Sequence, residues 1–104
     1  MVTQEMLQTI VNQIVEIAHP QKIILFGSCA RNTMTNDSDI DLVVIKKTVI
    51  DKIDEIIEIK RHIRSKDFSI DLILISEEDF YTKLAEGWTI YQDIKTEGII
   101  LYAA

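Results

Sequence analysis

Cysteine, histidine, proline and glycine are all scarce in this chain of 104 residues. Its single cysteine, Cys29, cannot form an internal disulfide, and two histidines beside it leave no zinc site made of Cys and His alone. Three glycines and one proline, set against 47% apolar residues, exclude a disordered or low-complexity chain and leave enough for a core. Basic residues number 11 against 17 acidic ones, a net charge of -6, which argues against an extended phosphate-backbone partner. A short RNA, or a nucleotide carried with its magnesium, stays compatible with that charge. No stretch of about 18 apolar residues offers a membrane span, and the N-terminus has no apolar signal region. The expectation is a cytoplasmic protein of one domain, residues 1–104, with no membrane partner.

What the chain does have is concentrated in residues 23–45, IILFGSCARNTMTNDSDIDLVVI. The apolar run Ile23 to Phe26 reads as a strand buried on both faces. Gly27 and Ser28 end it in a tight turn that exposes backbone N–H groups, the makings of a phosphate cradle. Polar turn formers follow, and then Asp37, Asp39 and Asp41 lead into a second strand, Leu42 to Ile45. If that strand starts near Asp39, its period of two places Asp39 and Asp41 on one face, about 7 Å apart. Leu42 and Val44 then point into a core. Two carboxylates held so repel each other unless a cation sits between them. An exposed acidic turn is the bland alternative. A calcium loop fails, because the sixth position from Asp37 is Leu42 and the twelfth is Thr48. A P-loop fails too, since no Gly-Lys-Ser/Thr follows Gly27. Arg31 is either a surface arginine or a contact to triphosphate oxygens, which its fork suits.

Around this stretch the chain alternates helical and β patterns. Thr3 caps a helix over 4–18 with Leu7, Ile10, Val11, Ile14 and Ala18 as its stripe. His19-Pro20 stops it. Thr48, with Asp51 as reciprocal cap, starts a second helix to about Ile63, its stripe Val49, Ile50, Ile53, Ile56, Ile57 and Ile63. Ile59 falls beside that stripe. The basic cluster at its end, Lys60 to Lys66, fits a helix C-terminus or a partner contact. A third strand spans 68–75, and Asp71 within it is costly unless it meets solvent or a site. Paired with the second strand, it would bring Asp71 to Asp39 and Asp41, three acids that suit two divalent ions. Ser76 caps a third helix, with Phe80, Tyr81, Leu84 and Ala85 inward. Gly87 breaks it. A last helix covers Trp88 to Glu97, Gly98 takes its left-handed C-terminal position, and Ile99 to Tyr102 close as a strand.

At Gly27, Ser28, Asp39, Ile40, Asp41, Leu42 and Val44 the chain resembles the DNA polymerase beta-like nucleotidyltransferase superfamily. More narrowly it resembles the minimal nucleotidyltransferases (MNT). Asp71 in SIDLILI matches the family's third carboxylate, and the tail EGIILYAA its usual ending. The resemblance implies an α/β (α+β) fold, a mixed sheet of at least three strands flanked by helices. It implies that Asp39, Asp41 and Asp71 bind two Mg²⁺, with Ser28 and the adjacent N–H groups at Gly27 on the triphosphate of ATP, where Arg31 is the further candidate contact. It further implies an antitoxin that moves AMP to a hydroxyl, a tyrosine foremost, of a co-encoded HEPN-domain toxin. The rivals are an antitoxin that only binds and a nucleotidyltransferase acting on a small molecule. Asn32 replaces a glycine common in relatives, and asparagine tolerates a left-handed backbone. A minimal domain and the apolar breadth of the second helix lead us to expect association, as a homodimer or with a helical partner.

Overall fold

The computed structural model describes residues 3–27, 40–63 and 69–104. Helix α1 (Gln4–Ala18) starts where Thr3 accepts a 3.2 Å hydrogen bond from the Met6 N–H. Its row of Ile10, Val11, Ile14 and Ala18 is buried. His19 closes the helix in the left-handed region, φ 48°, donating its N–H to the Val15 carbonyl. Strand β1 (Lys22–Phe26) follows and pairs antiparallel with β2 (Ile40–Lys46). Strand β3 (Ile70–Ser76) lies parallel to β2, reached through helix α2 (Lys52–His62). Helices α3 (Glu77–Ala85) and α4 (Thr89–Glu97) come next. Strand β4 (Ile99–Ala103) then returns antiparallel to β1. The mixed sheet runs β3-β2-β1-β4.

Two apolar cores, one on each sheet face, make this a three-layer domain. Ile23, Leu25, Ile40, Leu42 and Val44 pack with α1 and with Ile59 of α2. The alternate residues Ile24, Val43, Ile45 and Ile75 pack with Phe80, Tyr91 and Ile94 of α3 and α4. The unbroken apolar runs of β1 and β2 are thus buried on both faces, as their composition requires.

Four local expectations need correction. The second helix starts at Lys52, four residues after Thr48, with Asp51 as its cap. Glu55 sets that start. Its carboxylate accepts 2.9 Å hydrogen bonds from the Ile50 and Asp51 N–H groups and pairs with Lys46 at the end of β2. The α2 stripe holds only in part: Val49, Ile56 and Ile63 pack on the core, whereas Ile50, Ile53 and Ile57 are exposed. Ile59 is the buried residue, at 2% exposure, and Ile53 stands 71% exposed with Ile50 and Ile57 beside it. Seven β-branched residues over 49–63 describe two rows at helical spacing, and only the row of Ile56, Ile59 and Ile63 meets the sheet. Tyr81 and Ala85 of α3 face solvent, and Phe80 alone of that expected set is buried. Gly98 is extended, φ -69°, because the chain passes straight from α4 into β4. Its missing side chain serves close packing instead: a Cβ there would meet the Ile94 carbonyl and come 2.6 Å from Ile24 Cγ2.

The Glu55 arrangement carries a stability prediction. The Lys46 hydrogen bond, then the two backbone N–H groups, hold the Glu55 carboxyl below the usual carboxylate range, against the opposing effect of its burial. A lowered folded value means the contribution is complete above the unfolded pKa and is lost as pH falls through the folded one. Glu55→Gln is therefore expected to cost about 1.5–3 kcal/mol at neutral pH, the range for hydrogen bonds to charged groups. Urea unfolding at neutral and acidic pH checks this. The gap between the two proteins should close in acid, and a constant gap would show that the charge is immaterial.

Candidate active site

Parallel register sets Asp41 directly beside Asp71, in the run Ile40↔Ile70, Asp41↔Asp71, Leu42↔Leu72. Neighbouring strands lie about 4.8 Å apart, and register partners project to the same face. Asp41 shares its parity with Val43 and Ile45, so the two carboxylates stand on the α3/α4 face. They emerge just before the core closes: Asp41 is half-buried and Asp71 exposed. The expected meeting of Asp71 with the second strand's acids is thus realised for Asp41.

The end of β1 completes this corner. Phe26 pairs with Asp41, and Gly27 follows in the left-handed region at φ 74°. A Cβ at Gly27 would overlap the Asp41 carboxylate oxygen and lie 3.2 Å from its Cγ. Glycine therefore serves both the turn and the space around Asp41. Ser28, Arg31 and Asp39, the other expected site residues, lie outside the described residues. So does Asn32. Asp39 directly precedes Ile40, whose N–H donates to the Ser69 carbonyl as β2 begins.

Two further acids reach this corner from α4. Asp93 and Glu97 line a hollow of about 210 Å³ with Phe26, Gly27 and Ile90. The pattern of α4 places Ile90, Tyr91 and Ile94 on one side; Tyr91 and Ile94 are buried in the core, whereas Ile90 is 44% exposed and lines the hollow. The spacing of four from Asp93 to Glu97 puts both on one other flank, which was the available signal.

Among the described residues no group of three or more His, Cys, Asp or Glu could hold a metal ion. The pair Asp41 and Asp71 nonetheless fits magnesium chemically. Both are hard oxygen donors at adjacent register positions, with the space around Asp41 kept clear by Gly27.

Residues 8–104 match the family model "Polymerase beta, Nucleotidyltransferase", and the chain belongs to that nucleotidyltransferase family. Metal-assisted catalysis is the general chemistry of that family. A relative from Methanocaldococcus jannaschii, named "Putative protein adenylyltransferase MJ0604", is 33% identical over 82 residues, 79% of this chain and 78% of that protein. Among solved structures, a toxin-antitoxin with AMP-PNP superposes with a TM-score of 0.69 at 24% identity, over 93% of this chain and 73% of that one. A mutant of the toxin-antitoxin MntA-HpeT gives a TM-score of 0.68 at 25% identity, over 99% of this chain and 75% of that one. Among the described residues no helix is long and apolar enough to cross a membrane.

Proposed function

We propose that this chain is an antitoxin that moves AMP from ATP to a hydroxyl, a tyrosine foremost, of a partner HEPN-type toxin. The observation that carries the reading is the side-by-side placement of Asp41 and Asp71 next to the left-handed turn at Gly27. That corner brings a carboxylate pair within reach of a strand-to-turn backbone. The likeness to a toxin-antitoxin that binds AMP-PNP supports the choice of an adenine nucleotide and of a protein partner.

The acceptor oxygen bonds to the α-phosphorus as the bond from that phosphorus to the β-phosphate oxygen breaks. Pyrophosphate leaves with that electron pair, and the hydroxyl proton passes to solvent water. Asp39 and Asp41 would hold Mg²⁺, and Asp71, the more exposed acid, would complete the set on the acceptor's side. Magnesium, when bound, lowers the pKa of the acceptor hydroxyl and offsets charge on the α-phosphate. Gly27 and Ser28 would present their N–H groups to the β- and γ-phosphates, with Arg31 orienting them for in-line departure. The row of Ile50, Ile53 and Ile57 on α2 offers an apolar surface to the toxin.

That same row favours the rival reading, an antitoxin that acts by binding alone. Intact mass separates the two. The chain is incubated with its co-encoded toxin, Mg²⁺ and ATP. The toxin should gain one or more AMP units with the wild type and none with D39A/D41A. Full neutralisation by that double mutant, with no mass gain from the wild type, would leave binding alone and end the transfer reading.

A further inference from the structure

Strand β4 stands at one end of the sheet order, so its outer side presents unpaired backbone N–H and C=O groups among the described residues. Natural edges are commonly guarded by charge, proline, a bulge or extreme shortness, and of these β4 carries only the bulge. The β4 run Ile99-Ile100-Leu101-Tyr102-Ala103 has five residues, no charge and no proline. A register irregularity lies in its pairing with β1, between Ile23 and Ile24. The opposite edge, β3, carries Asp71.

Both faces beside β4 are also underfilled. On the α1 side a hollow of about 380 Å³ is lined by Leu7, Val11, Leu25, Ile99 and Leu101, among others. On the α3/α4 side a hollow of about 290 Å³ is lined by Ile24, Ile45, Phe80, Tyr81 and Ile100, among others. Ile99 and Ile100, one toward each hollow, are 46% and 57% exposed. An added strand alternates its side chains between the two faces, so one segment would pair with the free backbone and enter both hollows.

We propose that β4 is a pairing edge whose occupant is β4 of a second copy, antiparallel about a twofold axis. The result is one continuous eight-stranded sheet. Three features select a second copy. The strand is apolar toward both faces, matching the apolar part of each hollow's lining. It is uncharged, so two chains of net charge -6 meet there with the least repulsion. Antiparallel pairing also brings the Glu97 end of one strand to the Ala103 end of the other, where Lys22 is the β1 partner. Symmetry makes that opposite-charge approach occur twice. Asp71 lies on the far edge, so pairing leaves the carboxylates open to substrate.

Sedimentation velocity over a concentration series tests the proposal on the full chain. The wild type should dimerise. Ile100→Lys should weaken the dimer by about tenfold or more, since it places a charge near its own copy and withdraws apolar burial. Ile53→Lys, on the exposed row of α2, should leave the dimer intact. Hydrogen exchange of the wild type supplies a second reading that depends on no variant: β4 amide protection should rise with protein concentration. A chain that stays monomeric at millimolar concentration overturns the proposal. So does a dimer that survives Ile100→Lys, or one whose concentration-dependent protection falls on α2 instead of β4. None of these readings depends on nucleotide transfer.

Discussion

Gly27→Ala is expected to reduce AMP transfer by about a hundredfold or more while leaving a folded protein. Two separate costs meet at this position. The backbone is left-handed, φ 74°, which costs a residue with a Cβ about 1–2 kcal/mol. For a domain of this size that is a fall in Tm of roughly 4–8 °C per kcal/mol. The second cost falls on the site. The new methyl group would occupy the space of the Asp41 carboxylate, which would have to shift to admit it. Its displacement by even about 1 Å is the kind of error that costs a hundredfold in rate. Thermal melting together with AMP transfer to the toxin checks this. A modest loss of Tm with a large loss of transfer is the expected pair. Full transfer in a folded Gly27→Ala protein would show that the position of Asp41 does not matter to the reaction.

The central corner was legible because its chemistry conflicts with its surroundings. An aspartate heading an apolar strand, and another inside SIDLILI, are hard to explain by packing. Their meeting required only that the third strand lie against the second, and the observed pairing is parallel with Asp41 opposite Asp71. Helix α1 was legible for a different reason: its cap and its stripe agree. Helix α2 was not, because its isoleucines are too many. A row at Ile50, Ile53 and Ile57 has the same spacing as the row at Ile56, Ile59 and Ile63, and periodicity cannot rank them. Tertiary contact ranks them, through Lys46 and Glu55, which fix where the helix begins. Gly98 was misread because a glycine after a helix usually signals a left-handed cap, whereas here it permits contact with Ile24 and the α4 backbone. Asp93 and Glu97 were passed over because acids on a helix flank ordinarily mean solvent. Only the packing of α4 beside the end of β1 gives them a place at the corner.

Asp71→Asn is expected to uncouple stability from function. In the metal-free protein, Asp41 and Asp71 are like charges at adjacent register positions on one face. Such pairs are destabilising by about 0.2–1 kcal/mol, and asparagine removes the repulsion at nearly constant shape. Tm without metal should therefore hold or rise slightly. With Mg²⁺ and ATP the order should reverse. Ligand binding to the folded state stabilises it by mass action, so the wild-type Tm should climb with Mg²⁺ concentration. Asp71→Asn loses one oxygen donor and its charge, so its climb should be much smaller. Transfer should fall by about a hundredfold or more, the scale on which losing one electrostatic stabiliser of a transition state is felt. Melting curves across an Mg²⁺ series, with and without ATP, read the first effect, and intact mass of the toxin reads the second. If the two proteins respond to Mg²⁺ alike, Asp71 is not a metal-binding residue. Its place beside Asp41 would then reflect only the solvent exposure of the sheet's corner.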